Sequence, residues 1–197
     1  MAKRATPHRL PSVEEYLSLE EESTVRHEYV AGMIYAHAGG TSRHNAIAAN
    51  VLAALWNAAR GGPCRVYGSD MRLRAADDVF YYPDVMVVCG DNEAGDEALY
   101  QHAPCLIAEI TSPSTESIDR REKAFTYRKI PSLQAYLIAD QDRRWVERHW
   151  RDESGEWRQG GVADQGFVPI PCPETRLSLD EIYEGLESPQ PSAKADS

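Results

Sequence analysis

Cysteine is scarce in this sequence. The 197 residues hold four, Cys64, Cys89, Cys105 and Cys172, and none sits in a C-x-x-C pair. The spacing used by structural zinc modules is therefore missing, so no zinc site is expected, and the four are expected to be free thiols of a reducing compartment. Long apolar runs are missing too. The longest, such as Val85–Cys89 and Cys105–Ala108, are far too short to cross a bilayer, so no membrane contact is expected. Met1-Ala2-Lys3-Arg4 has no apolar stretch behind it, unlike a secretory signal, and the chain is expected in the cytoplasm. Positive charge is also short: 21 Lys and Arg stand against 31 Asp and Glu, for a net charge of -10. That balance argues against strong general affinity for nucleic acid, because phosphate neutralisation needs clustered bases. No helix-turn-helix or zinc-finger pattern is present to read a DNA sequence.

What is present suits one globular domain with a sizeable core: 42% hydrophobic and 26% charged residues are ordinary for that class. Residues 1–10 read as a loose arm, 11–187 as the domain, and the polar, proline-bearing stretch 188–197 as a disordered tail. Charge is distributed unevenly. Glu14, Glu15, Glu20, Glu21 and Glu22 open the chain, and Asp91, Glu93, Asp96 and Glu97 fill a polar loop. Arg120, Arg121, Lys123, Arg128 and Lys129 form one basic stretch, and Arg143, Arg144, Arg148 and Arg151 another. A polyanion would be met by these patches.

Ser12-Val13-Glu14-Glu15 fits a capping box that starts a helix to about Glu21. Glu28–Tyr35 reads as two short strands bent at Gly32. Ile47, Val51 and Leu55 recur at four-residue steps inside a helix from about Ser42 to Arg60, stopped by Gly61-Gly62-Pro63. Cys64–Leu73 and Val79–Cys89 read as paired strands that turn at Ala75–Asp78. Cys105–Ile110 is a buried strand, and Ser112 and Ser114 cap the turn into a helix over about Ile118–Lys129. Ala135–Ala139 is another buried strand. Trp145–Trp150 and Trp157–Val168 read as antiparallel edge strands, and Leu179–Leu186 as a last short helix. The order predicts an α/β (α+β) fold with a central mixed β-sheet flanked by helices.

Two acids stand against this pattern. Glu109 lies inside the apolar run Leu106–Ile110, where a carboxylate costs several kcal/mol unless paired or bound to a metal. Asp84 opens the apolar run Val85–Val88. Two such acids on neighbouring strands repel unless a cation lies between them, and oxygen ligands of this kind suit Mg²⁺ or Mn²⁺. Taken singly, an Asp after Pro also serves as a turn residue, and a Glu in a strand also pairs with an Arg.

Tyr82-Pro83-Asp84-Val85, then Leu106-Ile107-Ala108-Glu109-Ile110-Thr111-Ser112-Pro113-Ser114-Thr115, then Asp119, Lys123 and Tyr127, then Ala135–Asp140 resemble the Uma-type family of restriction endonucleases. That family is a branch of the PD-(D/E)XK nuclease superfamily. Arg26–Ile34, Ser42-Arg43-His44-Asn45 and Ser69–Leu73 extend the likeness, which covers about residues 10–185. The resemblance implies a restriction-endonuclease-like core. It implies that Asp84 and Glu109 hold the metal with the backbone carbonyl of Ile110, and that Glu28 ligates it or orients water. The superfamily lysine belongs two residues after the glutamate, where this chain has Thr111. Lys123 on the following helix matches the family's replacement, with Tyr127 one turn on. Asp70 and His44 are expected to support the site from outside it.

The activity so implied is metal-dependent hydrolysis of DNA phosphodiester bonds, with DNA as substrate. A homodimer is expected for cutting two strands, using Trp145 and Trp150 as exposed edge-strand contacts. The alternative is a nuclease-fold module that has lost catalysis and binds nucleic acid or a protein partner; the acidic net charge favours it and the retained acids oppose it.

Overall fold

Ser12 starts the first helix, α1 (Val13–Glu22), with the expected reciprocal cap: its hydroxyl accepts from the Glu15 amide, and the Glu15 carboxylate accepts from the Ser12 N–H. The computed structural model describes residues 9–37, 39–90, 95–112, 118–163 and 166–187. Most of the expected arm, the tail, Asp91, Glu93 and the Ser114 cap lie outside the described residues. Strands β1 (His27–Val30) and β2 (Met33–Ala36) form a hairpin. Its turn holds Ala31 and Gly32 at positive φ, 49° and 89°, a conformation that favours glycine. Helix α2 (Ser42–Ala59) is capped by Thr41 and buries Ile47, Val51 and Leu55 on one stripe, as their spacing dictates. Among the described residues no helix is long and apolar enough to cross a membrane.

The long hairpin expected over residues 64–89 is broken in the middle of both arms. Strands β3 (Cys64–Gly68) and β4 (Arg72–Ala76) replace the first, and β5 (Val79–Tyr81) and β6 (Val85–Cys89) the second. The pair β4–β5 belongs to one sheet and β3–β6 to another. Pro83 has no N–H to give a continuing ladder, and on the other arm the chain turns with Met71 N–H donating to the Gly68 carbonyl at 3.0 Å. Gly68 also lets α2 approach, since a Cβ there would stand 3.1 Å from Leu52. The break leaves Asp84 at the joint between the sheets.

After the short β7 (Tyr100–Gln101), strand β8 (Leu106–Thr111) pairs antiparallel with β6 and parallel with β9 (Ala135–Asp140). A parallel pair needs a crossover. It contains a π-helical turn (Ile118–Lys123) that runs into α3 (Ala124–Tyr127). Strands β10 (Trp145–Arg151) and β11 (Trp157–Ala163) complete a six-stranded mixed sheet of order β11-β10-β9-β8-β6-β3. The second sheet has order β2-β1-β5-β4-β7. A separate hairpin, β12 (Phe167–Pro171) with β13 (Glu174–Ser178), leads to α4 (Leu179–Ile182). The fold is therefore mixed α/β, with mixed sheets flanked by helices. One core lies between the six-stranded sheet and α2, the β12–β13 hairpin and α4; another lies on the opposite face, around α3.

Two expectations are corrected. Trp145 and Trp150 are only half-exposed, and β10 is an interior strand; the edge is β11. A methyl group at Gly161 would overlap the Trp145 ring, so glycine in the edge strand lets that ring fold over it. The dimer contact expected from these two side chains loses its basis. The cysteines are not free thiols either: Cys64 bonds Cys89 and Cys105 bonds Cys172. The β3–β6 register sets Cys64 directly opposite Cys89. Cys105 and Cys172 are 16 to 108 residues from those two or from each other in no recognisable pattern, and only the packing of the β12–β13 turn against the start of β8 brings them together.

Candidate active site

Strand alternation decides which acids meet. In β8, Leu106, Ala108 and Ile110 face the α2 core, while Ile107 faces the α3 core. Glu109 shares the parity of Ile107 and projects toward α3. In β6, Val85 and Val87 face α2, while Met86 and Val88 face α3, so Asp84 points the same way as Glu109. Val85 pairs with Ala108, which sets Asp84 across from Glu109. On β1, Val30 packs against the α3 core, and Glu28, two residues before it, shares that side. From above, the crossover lowers Lys123 and Tyr127 onto the same spot.

The cluster is buried: Glu109 is 3% exposed, Lys123 7% and Asp84 8%. Glu109 Oε1 accepts from Lys123 Nζ at 3.2 Å and from the Tyr127 hydroxyl at 2.8 Å. Its Oε2 accepts from the Asp84 N–H at 3.4 Å. Asp84 Oδ2 accepts from the Ile110 N–H at 2.8 Å, and His44 Nε2 lies 3.2 Å from the same oxygen. Lys123 Nζ is 3.4 Å from Glu28 Oε1, which accepts from the Tyr82 N–H at 3.3 Å. The Tyr81 ring centroid is 5.5 Å from the ammonium.

Two carboxylates, Glu28 and Glu109, thus share the Lys123 ammonium, and Asp84 adjoins Glu109 with His44 beside it. Burial raises the Tyr127 phenol well above its ordinary pKa, and the Glu109 charge adds to the shift, so Tyr127 stays a protonated donor that fixes the Glu109 rotamer. His37 Nδ1 is 3.9 Å from Glu28 Oε1. Burial lowers the His37 pKa, with Lys123 and Arg26 adding to that effect and Glu28 and Asp84 opposing it. Were Glu109 the ligand of a catalytic metal, as the resemblance implies, Tyr127→Phe would be expected to reduce cleavage by ~10–100-fold, the usual loss when an outer partner of a metal ligand is removed. Single-turnover rates at saturating metal check it; an unchanged rate would show that Glu109 needs no such support.

The donor set fits a hard divalent cation. It offers anionic oxygens in excess over cations. A strand residue turns its N–H and C=O to the same edge. The Ile110 carbonyl therefore faces the Asp84 side, as its N–H does. Among the described residues, Glu28, Asp84 and Glu109 do not close as a trio to within 4.8 Å, and Lys123 lies between Glu28 and Glu109.

The structure therefore gathers Asp84, Glu109, Ile110, Lys123, Glu28, Tyr127 and His44. It does not bring Asp70: that carboxylate is 82% exposed and pairs with Arg26. The side chain of Asp119 lies outside the described residues. Thr111, in the usual lysine position, is buried and its carbonyl accepts from Gln141 N–H at 3.1 Å. Sequence reasoning missed His37, which sits in the segment after β2 with no spacing to flag it. It also missed Tyr81, although it adjoins the Tyr82-Pro83-Asp84 segment. The basic stretches are largely used internally. Arg120 pairs with Glu147, Arg143 with Asp140 and Arg144 with Asp180, while Arg151 donates to the carbonyls of Leu133, Gly155 and Arg128. Arg121 and Lys129 stay exposed.

Comparison with known proteins gives the same outline. Residues 13–180 match the family model Uma2, described as "Putative restriction endonuclease". An uncharacterized protein of Synechocystis, slr1290, is 31% identical over 176 residues, covering 89% of this chain and 92% of that protein. Another from the same organism, sll1609, is 34% identical over 145 residues, covering 73% and 82%. A solved structure from Anabaena variabilis, titled as a "putative nuclease belonging to DUF820", superposes with a TM-score of 0.72 at 20% identity, over 87% of this chain and 97% of that one.

Proposed function

The chain belongs to the Uma2 family, and from that premise we propose that it is a metal-dependent endonuclease that hydrolyses DNA phosphodiester bonds. The observation that carries this reading is the buried meeting of Asp84, Glu109, Glu28 and Lys123, drawn from four separate segments. Charges this costly to bury are retained where a cation and an anionic substrate complete the balance.

Asp84, Glu109 and the Ile110 carbonyl would hold Mg²⁺ or Mn²⁺. When bound, the ion would polarise a phosphoryl oxygen and lower the pKa of water. The remaining steps belong to the chain's own groups. Lys123 places its ammonium beside Glu109, where it would offset charge that develops on the phosphate. Glu28 aims that ammonium from the opposite side and accepts a proton from attacking water. The Ile110 N–H fixes the Asp84 carboxylate, with His44 against the same oxygen. Tyr127 holds Glu109 without competing for negative charge.

Calorimetric titration with Mg²⁺ and Mn²⁺ tests the site. The expected result is saturable binding that Asp84→Asn abolishes while its thermal melt stays cooperative. Binding unchanged in Asp84→Asn would overturn the assignment.

A further inference from the structure

The tightest gathering of metal-ligand atoms among the described residues lies elsewhere: the Sγ atoms of Cys89, Cys105 and Cys172 all lie within 4.8 Å of one another. Cys64 bonds Cys89, so a fourth sulfur lies one bond away, at the border of this trio. We infer that these four cysteines form a second metal site, a tetrathiolate for a soft divalent cation such as Zn²⁺, assembled when the two disulfides are reduced.

Convergence is the argument. Two disulfides that only crosslink have no need to touch, yet Cys89 Sγ and Cys105 Sγ are 3.3 Å apart. The four sulfurs come from four segments: the start of β3, the end of β6, the residue before β8 and the β12–β13 turn. A tetrahedral Zn²⁺ with Zn–S of about 2.3 Å needs sulfur–sulfur edges of about 3.8 Å. From Cys89 Sγ, Cys105 Sγ is 3.3 Å away and Cys172 Sγ lies within 4.8 Å, which brackets that value, and Cys64 Sγ has to move in to close the fourth corner. Each bonded pair would need to open by only about 2 Å, within the reach of cysteine rotamers.

The backbone holds this arrangement independently of the bonds. Cys105 N–H donates to the Val87 carbonyl at 2.8 Å, and Cys64 pairs with Cys89 across the β3–β6 ladder. Val168, Ile170 and Leu177 seat the hairpin that carries Cys172 in the main core. Access and charge are also provided. Cys64 and Cys89 are half-buried, and Cys64 borders a surface cleft lined by Trp56, Arg60, Gly62 and Arg65. The two guanidiniums would offset the double negative charge of a zinc tetrathiolate. The site is distinct from the carboxylate cluster: five strand residues, about 16 Å, separate Asp84 from Cys89.

The chemistry balances. A dithiol reductant breaks each S–S bond, delivering two electrons and two protons per disulfide and leaving as its own cyclic disulfide. Zinc then replaces the four thiol protons, which are released to solvent. Bound, the ion ties the β12–β13 hairpin to the six-stranded sheet, a bond that Cys105–Cys172 makes when oxidised.

The test uses the full chain, reduced with a dithiol without oxygen and freed of reductant, then titrated with Co²⁺ and back-titrated with Zn²⁺. Four reactive thiols are expected after reduction, followed by one equivalent of Co²⁺ with a thiolate-to-cobalt charge-transfer band that Zn²⁺ bleaches. Asp84→Asn should leave the band unchanged, which separates this site from the carboxylate site. Cys172→Ser should weaken Zn²⁺ by more than the ~10–100-fold typical of losing an outer-shell partner. Absence of the band in the reduced wild-type chain overturns the proposal. So does undiminished Zn²⁺ affinity when all four cysteines are replaced by serine, or failure of the folded chain to yield four thiols.

Discussion

Asp84→Asn is expected to abolish metal-dependent cleavage of plasmid DNA without unfolding the chain. The substitution is nearly isosteric. The asparagine oxygen still accepts from the Ile110 N–H, which Asp84 Oδ2 now binds at 2.8 Å. What disappears is the carboxylate charge beside Glu109, whose Oε2 accepts from the Asp84 N–H. The metal-free variant should therefore melt no lower than the parent, because like-charge repulsion with Glu109 is relieved. Cleavage should fall by more than ~100-fold, since loss of even an outer partner of a ligand costs ~10–100-fold. Supercoiled, linear and single-stranded DNA, each with Mg²⁺ or Mn²⁺, give the readout. A variant that cuts as fast as the parent would refute the mechanism. A parent that binds metal and cuts none of the three substrates would favour the alternative of a binding module without catalysis.

Lys123→Met should have the largest effect on stability. The ammonium lies 3.2 Å from Glu109 and 3.4 Å from Glu28, and it is buried. Methionine keeps most of the apolar stem and removes the charge. Breaking a buried pair by deleting one partner typically destabilises by about 3–5 kcal/mol, which for a chain of this size lowers Tm by roughly 6–20 °C. The direction of rescue is the sharper test. Mg²⁺ or Mn²⁺ restores a positive charge to the same acids, so it should raise the variant's Tm more than the parent's. Equal rises in both, or a metal-free Tm unchanged by the substitution, would show that Lys123 is not the counter-charge of this cluster.

Local pattern carried much of the fold. The Ser12 and Glu15 box, the Ile47, Val51 and Leu55 stripe, and the apolar runs of β6, β8 and β9 all lie where spacing put them, because each depends on neighbours a few residues away. The pattern failed where a distant contact decides. The 64–89 hairpin reads as continuous from its β-formers, but Pro83 and the turn at Gly68 hand its halves to different sheets. Trp145 looked exposed because nothing local announces that Gly161 on the next strand receives its ring.

The sequence by itself determined that Asp84 and Glu109 are acids bordered by apolar strand, since that cost of burial is legible in a single run of residues. It also marked Lys123 through its place in the Uma-type pattern. Only the tertiary structure decided that Glu28 and Lys123 share a contact, that His37 and Tyr81 border it, and that Asp70 belongs to the surface. Those outcomes depend on how two sheets and a crossover helix converge, and no spacing along the chain encodes that meeting. The cysteines make the same point most plainly: separations of 25 and 67 residues match no ligand motif, and the packing of four segments sets the two disulfides side by side.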